Sequence, residues 1–209
     1  MEVKRDRIIW SILMASVPAR MKQGLALMAK ITAQIPAHTG IEVLYLCDNK
    51  QRSTGAKRNA LVAMAQGQYF SFVDDDDDVK DYYVSRIMPV LDPHDKKGWT
   101  PPDVVCFPVE CWVDNQFGMT DTDINYVDED WRPEVGIKRR PGLVHVWRKG
   151  LFGGLWFGDK MFDEHDEFYV PALARVKTVV KIDMPVYIYK TSKESSEAFK
   201  KDRVEQPQA

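Results

Sequence analysis

Five consecutive aspartates, Asp74 to Asp78, carry the densest set of oxygen ligands in the chain. Their carboxylates fall within about 17 Å of extended chain and repel one another unless water or a cation screens them. A hard divalent ion such as Mg2+ or Mn2+ suits such a run, because it takes one or two carboxylates and fills its remaining positions with phosphate oxygens or water. A solvated acidic turn is the plain alternative. Two other groups could share a site with the run. Asp48 and Asn49 close an apolar segment, and Ser53-Thr54-Gly55-Ala56-Lys57-Arg58-Asn59 reads as a loop entering a helix. The first N–H groups of a helix attract anions, and Lys57 and Arg58 add charge and donors. Carboxylates, a divalent ion and a basic helix start at one edge describe a site for a nucleotide diphosphate.

The elements that must bring these residues together follow from the hydrophobic pattern. The run 8–14 is continuously apolar, as in a strand buried on both faces. Residues 16–20 break it, and a helix is expected next, with Met21, Leu25, Met28, Ile31 and Ile35 inward and Pro36 as its stop. A second strand covers 41–46 and a second helix runs from Lys57 to Gln66, with Gly67 as its C-terminal cap. A third strand, 69–73, leads into the aspartates. Strand, helix, strand, helix, strand is the order of a parallel sheet with crossover helices, whose ligands bind beyond the carboxyl ends of the strands.

Further on, the pattern predicts a helix over 80–91, with Pro89 disturbing its last turn, and one strand over 104–113, with Pro108 at a bulge or edge. A turn at 114–118 and a long irregular loop over 120–140 are expected next, then a strand at 143–147. A helix over 164–174 and short strands over 179–189 complete the pattern. One domain over residues 1–190 and a polar tail over 191–209 is the expected organisation.

With 209 residues, 44% hydrophobic and 29% charged, the chain can bury a sizeable core. A net charge of −2 provides no overall field favouring nucleic acid or an anionic membrane. Cys47, Cys106 and Cys111 match no zinc spacing. Neither a signal-peptide core nor a membrane-length apolar stretch is found in the sequence, so a cytoplasmic protein is expected.

Four segments together, Ser11–Arg20, Glu42–Asn49, Gly55–Ala60 and Gly67–Asp77, resemble a family 2 glycosyltransferase of the GT-A fold, over roughly the first 90 residues. The resemblance implies an α/β, Rossmann-like domain with a mixed, mostly parallel sheet flanked by helices. It further implies a nucleotide-sugar donor, Mn2+ or Mg2+, and inversion at the anomeric carbon. Carried over by position, Pro18 and Arg20 border the nucleobase and Asp48 binds it. Lys57, Arg58 and Asn59 lie near the nucleoside and phosphates, Asp74 faces the ribose, and Asp74 and Asp76 form the DxD pair, with Asp76 on the metal. Asp75 and Asp77 are the alternative register.

An inverting transfer needs a general base within reach of the acceptor hydroxyl. In the family it comes from a Glu-Asp pair at a helix start a few residues before an aromatic. Here aligning on Phe168 puts His165 where the Asp should be, so either the register shifts and Asp166, taken first, or Glu164 is the base, or His165 does the work. Trp147, Trp156 and Phe157 could offer a flat surface for a sugar or base, and His145 with Arg148 could approach the phosphates. The acceptor is a glycan, a lipid-linked sugar or a modified base of phage DNA, the last drawing on Lys138-Arg139-Arg140. Two other readings compete: a nucleotidyltransferase, against which the absence of glycine from Ser16–Arg20 counts, and a non-enzymatic protein whose acidic loop holds Ca2+.

Overall fold

The computed structural model describes residues 7–92, 97–130, 136–159 and 166–191. Its centre is β1 (Trp10–Ser16), buried along nearly its whole length. β1 pairs in parallel with β2 (Ile41–Cys47) on one side and β3 (Tyr69–Phe72) on the other. Beyond β3 lie β9 (Val146–Arg148), β5 (Val104–Cys106) and β10 (Val179–Lys181), giving the order β10-β5-β9-β3-β1-β2. Within this sheet, among the described residues, only β9 runs antiparallel to its neighbours. Helices α1 (Met21–Thr32), α2 (Thr54–Met64), α3 (Tyr83–Leu91) and α4 (Asp166–Leu173) complete the α/β architecture. A second sheet has the order β4 (Asp78–Val79), β11 (Tyr187–Thr191), β6 (Val109–Val113), β7 (Gln116–Thr122), β8 (Ile137–Arg139).

Two apolar clusters line the sheets. One gathers Trp10, Ile12, Met14, Ile31, Tyr83 and Tyr187, and the other gathers Leu13, Leu61, Phe70, Phe72, Phe157 and Phe168. The alternation along β1 sends even-numbered residues to the first and Leu13 to the second, as strand geometry requires.

Several expectations need correction. The inward face of α1 is Gly24, Leu27 and Ile31, while Met21 and Leu25 are 46% and 41% exposed. The helix is turned so that a glycine meets β2 and the acidic turn: a Cβ on Gly24 would sit 2.9 Å from the Tyr45 hydroxyl and 3.2 Å from Asp75 Cβ. Gly67 is not the cap of α2, which ends at Met64 with Ala65 at the cap position. Its role is close approach, since a Cβ there would meet the Ser11 backbone nitrogen at 2.7 Å. The expected strand over 104–113 is two strands in different sheets, and Pro108, which has no N–H for a ladder, stands where the chain crosses between them. The expected loop over 120–140 contains the end of β7 and all of β8. Asp114 and Asn115 both adopt positive φ, which makes 113–116 a two-residue hairpin turn joining β6 to β7.

Candidate functional site

The carboxyl ends of β1, β2 and β3 lie side by side, and the charged residues expected at that edge meet there. The β2 end delivers Asp48, whose backbone N–H reaches the Ser16 carbonyl at 3.4 Å. Helix α2 begins with Ser53, whose hydroxyl accepts the Ala56 N–H at 3.0 Å as an N-cap. The first turn after that cap buries Lys57 and Arg58, 3% and 8% exposed. Lys57 Nζ donates to the Ser16 carbonyl at 3.1 Å and pairs with Asp48 Oδ1 at 3.3 Å, so one buried cation ties the ends of β1 and β2. That ion pair makes no hydrogen bond. Both Asp48 carboxylate oxygens are buried and lack a hydrogen-bond partner among the described residues. A buried acceptor left so is costly unless a ligand donor meets it.

After β3 the acidic run folds into a tight turn, closed by an Asp77 N–H to Asp74 carbonyl bond at 3.2 Å. Its side chains alternate. Asp75 and Asp77 point inward, 1% and 5% exposed, whereas the side chains of Asp74 and Asp76 are 38% and 41% exposed. Asp75 accepts from the Ser16 hydroxyl at 2.6 Å and pairs with Arg20 Nη2 at 3.1 Å. Asp77 accepts from the Tyr187 hydroxyl at 2.6 Å and the Lys190 backbone N–H at 2.8 Å. The outward Asp74 pairs with Arg58 Nη2 at 3.0 Å, and Asp76 pairs with Arg20 Nη1. Asp78, at the start of β4, is bridged by Lys30 and Lys190, each at 3.0 Å.

Electrostatics follow that geometry. Burial pushes the Asp75, Asp76 and Asp77 carboxyls above their ordinary range, and neighbouring aspartates add to it. Arg20 works against the rise at Asp75 and Asp76. At Asp78 burial also pushes upward, but hydrogen bonds from Lys30 and Lys190 outweigh it and hold the carboxyl below its ordinary value. Burial and then the Asp77 charge push the Tyr187 hydroxyl far up, so it stays a donor.

The donor set suits a hard ion. Asp74 and Asp76 offer two partly exposed carboxylates on one side of a turn, and among the described residues no three ligating side chains converge. An ion here would therefore take one or two carboxylates and draw its other oxygens from phosphate and water, the usual arrangement for Mg2+.

Other expected residues lie elsewhere or do other work. Pro18 opens the short 3₁₀ turn Pro18–Arg20 and is exposed at the rim. Asn59 donates to the Phe157 carbonyl at 2.9 Å and accepts the Phe157 N–H at 2.9 Å, so its amide is engaged with the 153–159 segment. Asp166 is the first residue of α4, while Glu164 and His165 lie outside the described residues. His145 is buried, with its ring nitrogens against the carbonyls of Phe107 and Gly142 at 3.2 and 3.3 Å, and burial lowers its pKa to about 4. Arg148 pairs with the buried Asp103. Trp147 is core, and Phe157 is 3% exposed, leaving Trp156, 63% exposed, as the aromatic open to a ligand. In the basic stretch, Arg140 pairs with Asp128 at 2.9 Å and Lys138 lies over the Tyr126 ring.

Sequence reasoning missed Ser16 as the partner of Asp75, Tyr187 and Lys190 as the partners of Asp77, and Gly24. Only Gly24 left a signal, since glycine inside a helix marks a close approach. Tyr187 lies 110 residues from Asp77 and carries no local sign of the pairing.

No family model and no curated protein matches the sequence. Solved structures do. S. aureus TarS 1-349 superposes with a TM-score of 0.62 at 15% identity, covering 88% of this chain and 60% of that one. The same protein in complex with UDP gives 0.63 at 15% identity, covering 91% and 63%. Glucosyl-3-phosphoglycerate synthase from Mycobacterium tuberculosis, in complex with Mg2+ and UDP, gives 0.54 at 11% identity, covering 91% and 74%. The chain thus spans about 60% of the length of the TarS 1-349 chain. The fold is GT-A: a mostly parallel sheet flanked by helices, as in these neighbours.

Proposed function

We propose that the chain is a metal-dependent, inverting glycosyltransferase that moves a sugar from a nucleotide-diphosphate donor to a hydroxyl acceptor. The observation that carries this reading is the meeting, at one sheet edge, of Asp48, whose buried carboxylate is met by the Lys57 ammonium at 3.3 Å but makes no hydrogen bond among the described residues, and two outward aspartates. Asp48 would accept an N–H of the nucleobase, with Pro18 at the rim beside the base. Lys57 would hold Asp48 in place while fixing the β1 end. Asp74, steadied by Arg58, would face the ribose, and Asp76, with Asp74, would hold Mn2+ or Mg2+. That ion would stabilise the charge growing on the departing diphosphate. Asp166 at the start of α4 would take the acceptor's proton as the acceptor oxygen bonds to the anomeric carbon and the diphosphate leaves with the bonding electrons.

The fold neighbours support the donor class, since structures of TarS contain UDP or UDP-GlcNAc and the synthase contains UDP with Mg2+. Among the described residues no helix is long and apolar enough to cross a membrane. A thermal-shift screen of UDP-, GDP-, CMP- and TDP-sugars with Mn2+ tests the reading. One nucleotide series should raise Tm, because a ligand that binds only the folded state stabilises it by mass action. No shift with any of the four, at millimolar ligand, would overturn the assignment.

A further inference from the structure

Asn59 was expected near the phosphates, yet its amide makes a reciprocal pair of hydrogen bonds with the backbone of Phe157, both at 2.9 Å. Such a pair resembles one rung of a β-ladder and fixes both position and orientation of the segment it holds. Two further contacts tie the same helix to the same segment. Ser53, the N-cap of α2, donates to Asp159 at 2.5 Å. The Arg58 guanidinium lies 5.5 Å from the Phe72 ring centre and 5.8 Å from that of Phe157, between the end of β3 and this segment.

Phe157 in turn stacks on Phe168 of α4, with ring centres 3.8 Å apart and planes 20° from parallel. Phe72 meets Phe157 edge-on at 5.6 Å. A continuous line of contacts therefore runs from Asp74 through Arg58 and Phe157 to Phe168, two residues into the helix that Asp166 opens. Stacked rings alone permit sliding, because dispersion contacts are weak individually and poorly directional. Asn59 supplies the direction. Its two bonds hold Phe157 at one height along α2, and the ring stack passes that position to α4.

We propose that Asn59 is a positioning residue: through the Phe157 backbone it sets the start of α4 against the Arg58–Asp74 side of the site. The consequence for turnover rests on the glycosyltransferase reading; the clamp itself does not. Asn59→Asp is nearly isosteric and keeps the acceptor for the Phe157 N–H, but it sets a carboxylate oxygen against the Phe157 carbonyl. Asn59→Ala removes both bonds and serves as the second variant, with Tm measured for each.

Hydrogen exchange on the purified chain gives the first readout. Exchange in peptides spanning 153–159 and 166–173 should quicken at least tenfold in both variants, with β1 and β2 unchanged. Release of UDP from UDP-GlcNAc, and UDP affinity by calorimetry with Mn2+, give the second. Turnover should fall at least tenfold while UDP affinity stays within twofold, and the Asn59→Asp deficit should narrow as pH falls and the introduced carboxyl gains a proton to donate. Unchanged exchange in both variants would overturn the clamp. A loss of UDP affinity as large as the loss of turnover would also overturn the proposal, because Asn59 would then touch the donor. If the unaltered chain neither bound nor turned over UDP-GlcNAc, that sugar nucleotide would be ruled out as its donor while the exchange result still decided the clamp.

Discussion

Asp75 and Asp77 sit under the acidic turn with a serine, a tyrosine and a backbone N–H bound to them, whereas Asp74 and Asp76 stand on its outer side against arginines. All four are the same residue type within one turn, so the difference comes from where the chain points them. The inward pair fastens the turn to β1 and β11, and the outward pair is held by the guanidinium groups of Arg58 and Arg20. Four like charges so close would otherwise strain the fold. Here three of them are engaged by Arg58 and Arg20, and Asp77 by neutral donors.

The contrast breaks most directly if the two faces respond alike to truncation. Asp77→Ala leaves the Tyr187 hydroxyl and the Lys190 N–H without their acceptor, and should cost about 2–4 kcal/mol. Asp76→Ala removes a half-exposed ion pair and should cost no more than about 1 kcal/mol. Chemical denaturation of the two variants side by side checks this, and equal losses would erase the distinction.

A smaller effect is expected where α1 meets the turn. Gly24→Ala places a methyl 2.9 Å from the Tyr45 hydroxyl and 3.2 Å from Asp75 Cβ. The gain in helix propensity, about 1 kcal/mol, should be more than cancelled, leaving a net loss of about 1 kcal/mol by thermal melting. A stabilised variant would mean that the turn yields freely to α1.

The subtlest sign is in pH dependence. Burial, followed by the charge of Asp74, raises the Asp77 carboxyl well above its ordinary 3.8. The folded chain therefore holds that proton more tightly than the unfolded chain. Its contribution is complete below the ordinary value and is lost as pH rises through the raised one. The stability of the unaltered chain minus that of Asp77→Asn should decline as pH climbs from about 4 upward. Denaturant titrations across that range measure the slope, and a flat difference would mean that Asp77 titrates as an exposed carboxyl does.

Much of the edge was legible in the sequence, because a buried strand fixes where the next charged residue emerges. Ser16, Asp48 and Asp74 each follow an apolar run directly, and the crossover order aligned those strand ends. The phase of the acidic run was not legible. Five identical side chains carry no pattern, and what distinguishes inward from outward is Tyr187 and Ser16, brought in by distant strands. The face of α1 was misjudged because Met21 and Leu25 are apolar but exposed, while the contact that turns the helix is made by Gly24, which has no side chain to count. Pro108 signalled a break correctly, but whether a break is a bulge or a change of sheet depends on partners that lie far along the chain.

Calorimetry with and without Mn2+ of the nucleoside diphosphate whose series raises Tm most, on the unaltered chain, Asp76→Asn and Asp77→Asn, tests the central claim most directly. The unaltered chain and Asp77→Asn should bind that nucleoside diphosphate at least tenfold more tightly with Mn2+ than without it. Asp76→Asn should bind it equally in both conditions. An Mn2+ enhancement that survives in Asp76→Asn and vanishes in Asp77→Asn would contradict the assignment and move the metal to the inward face.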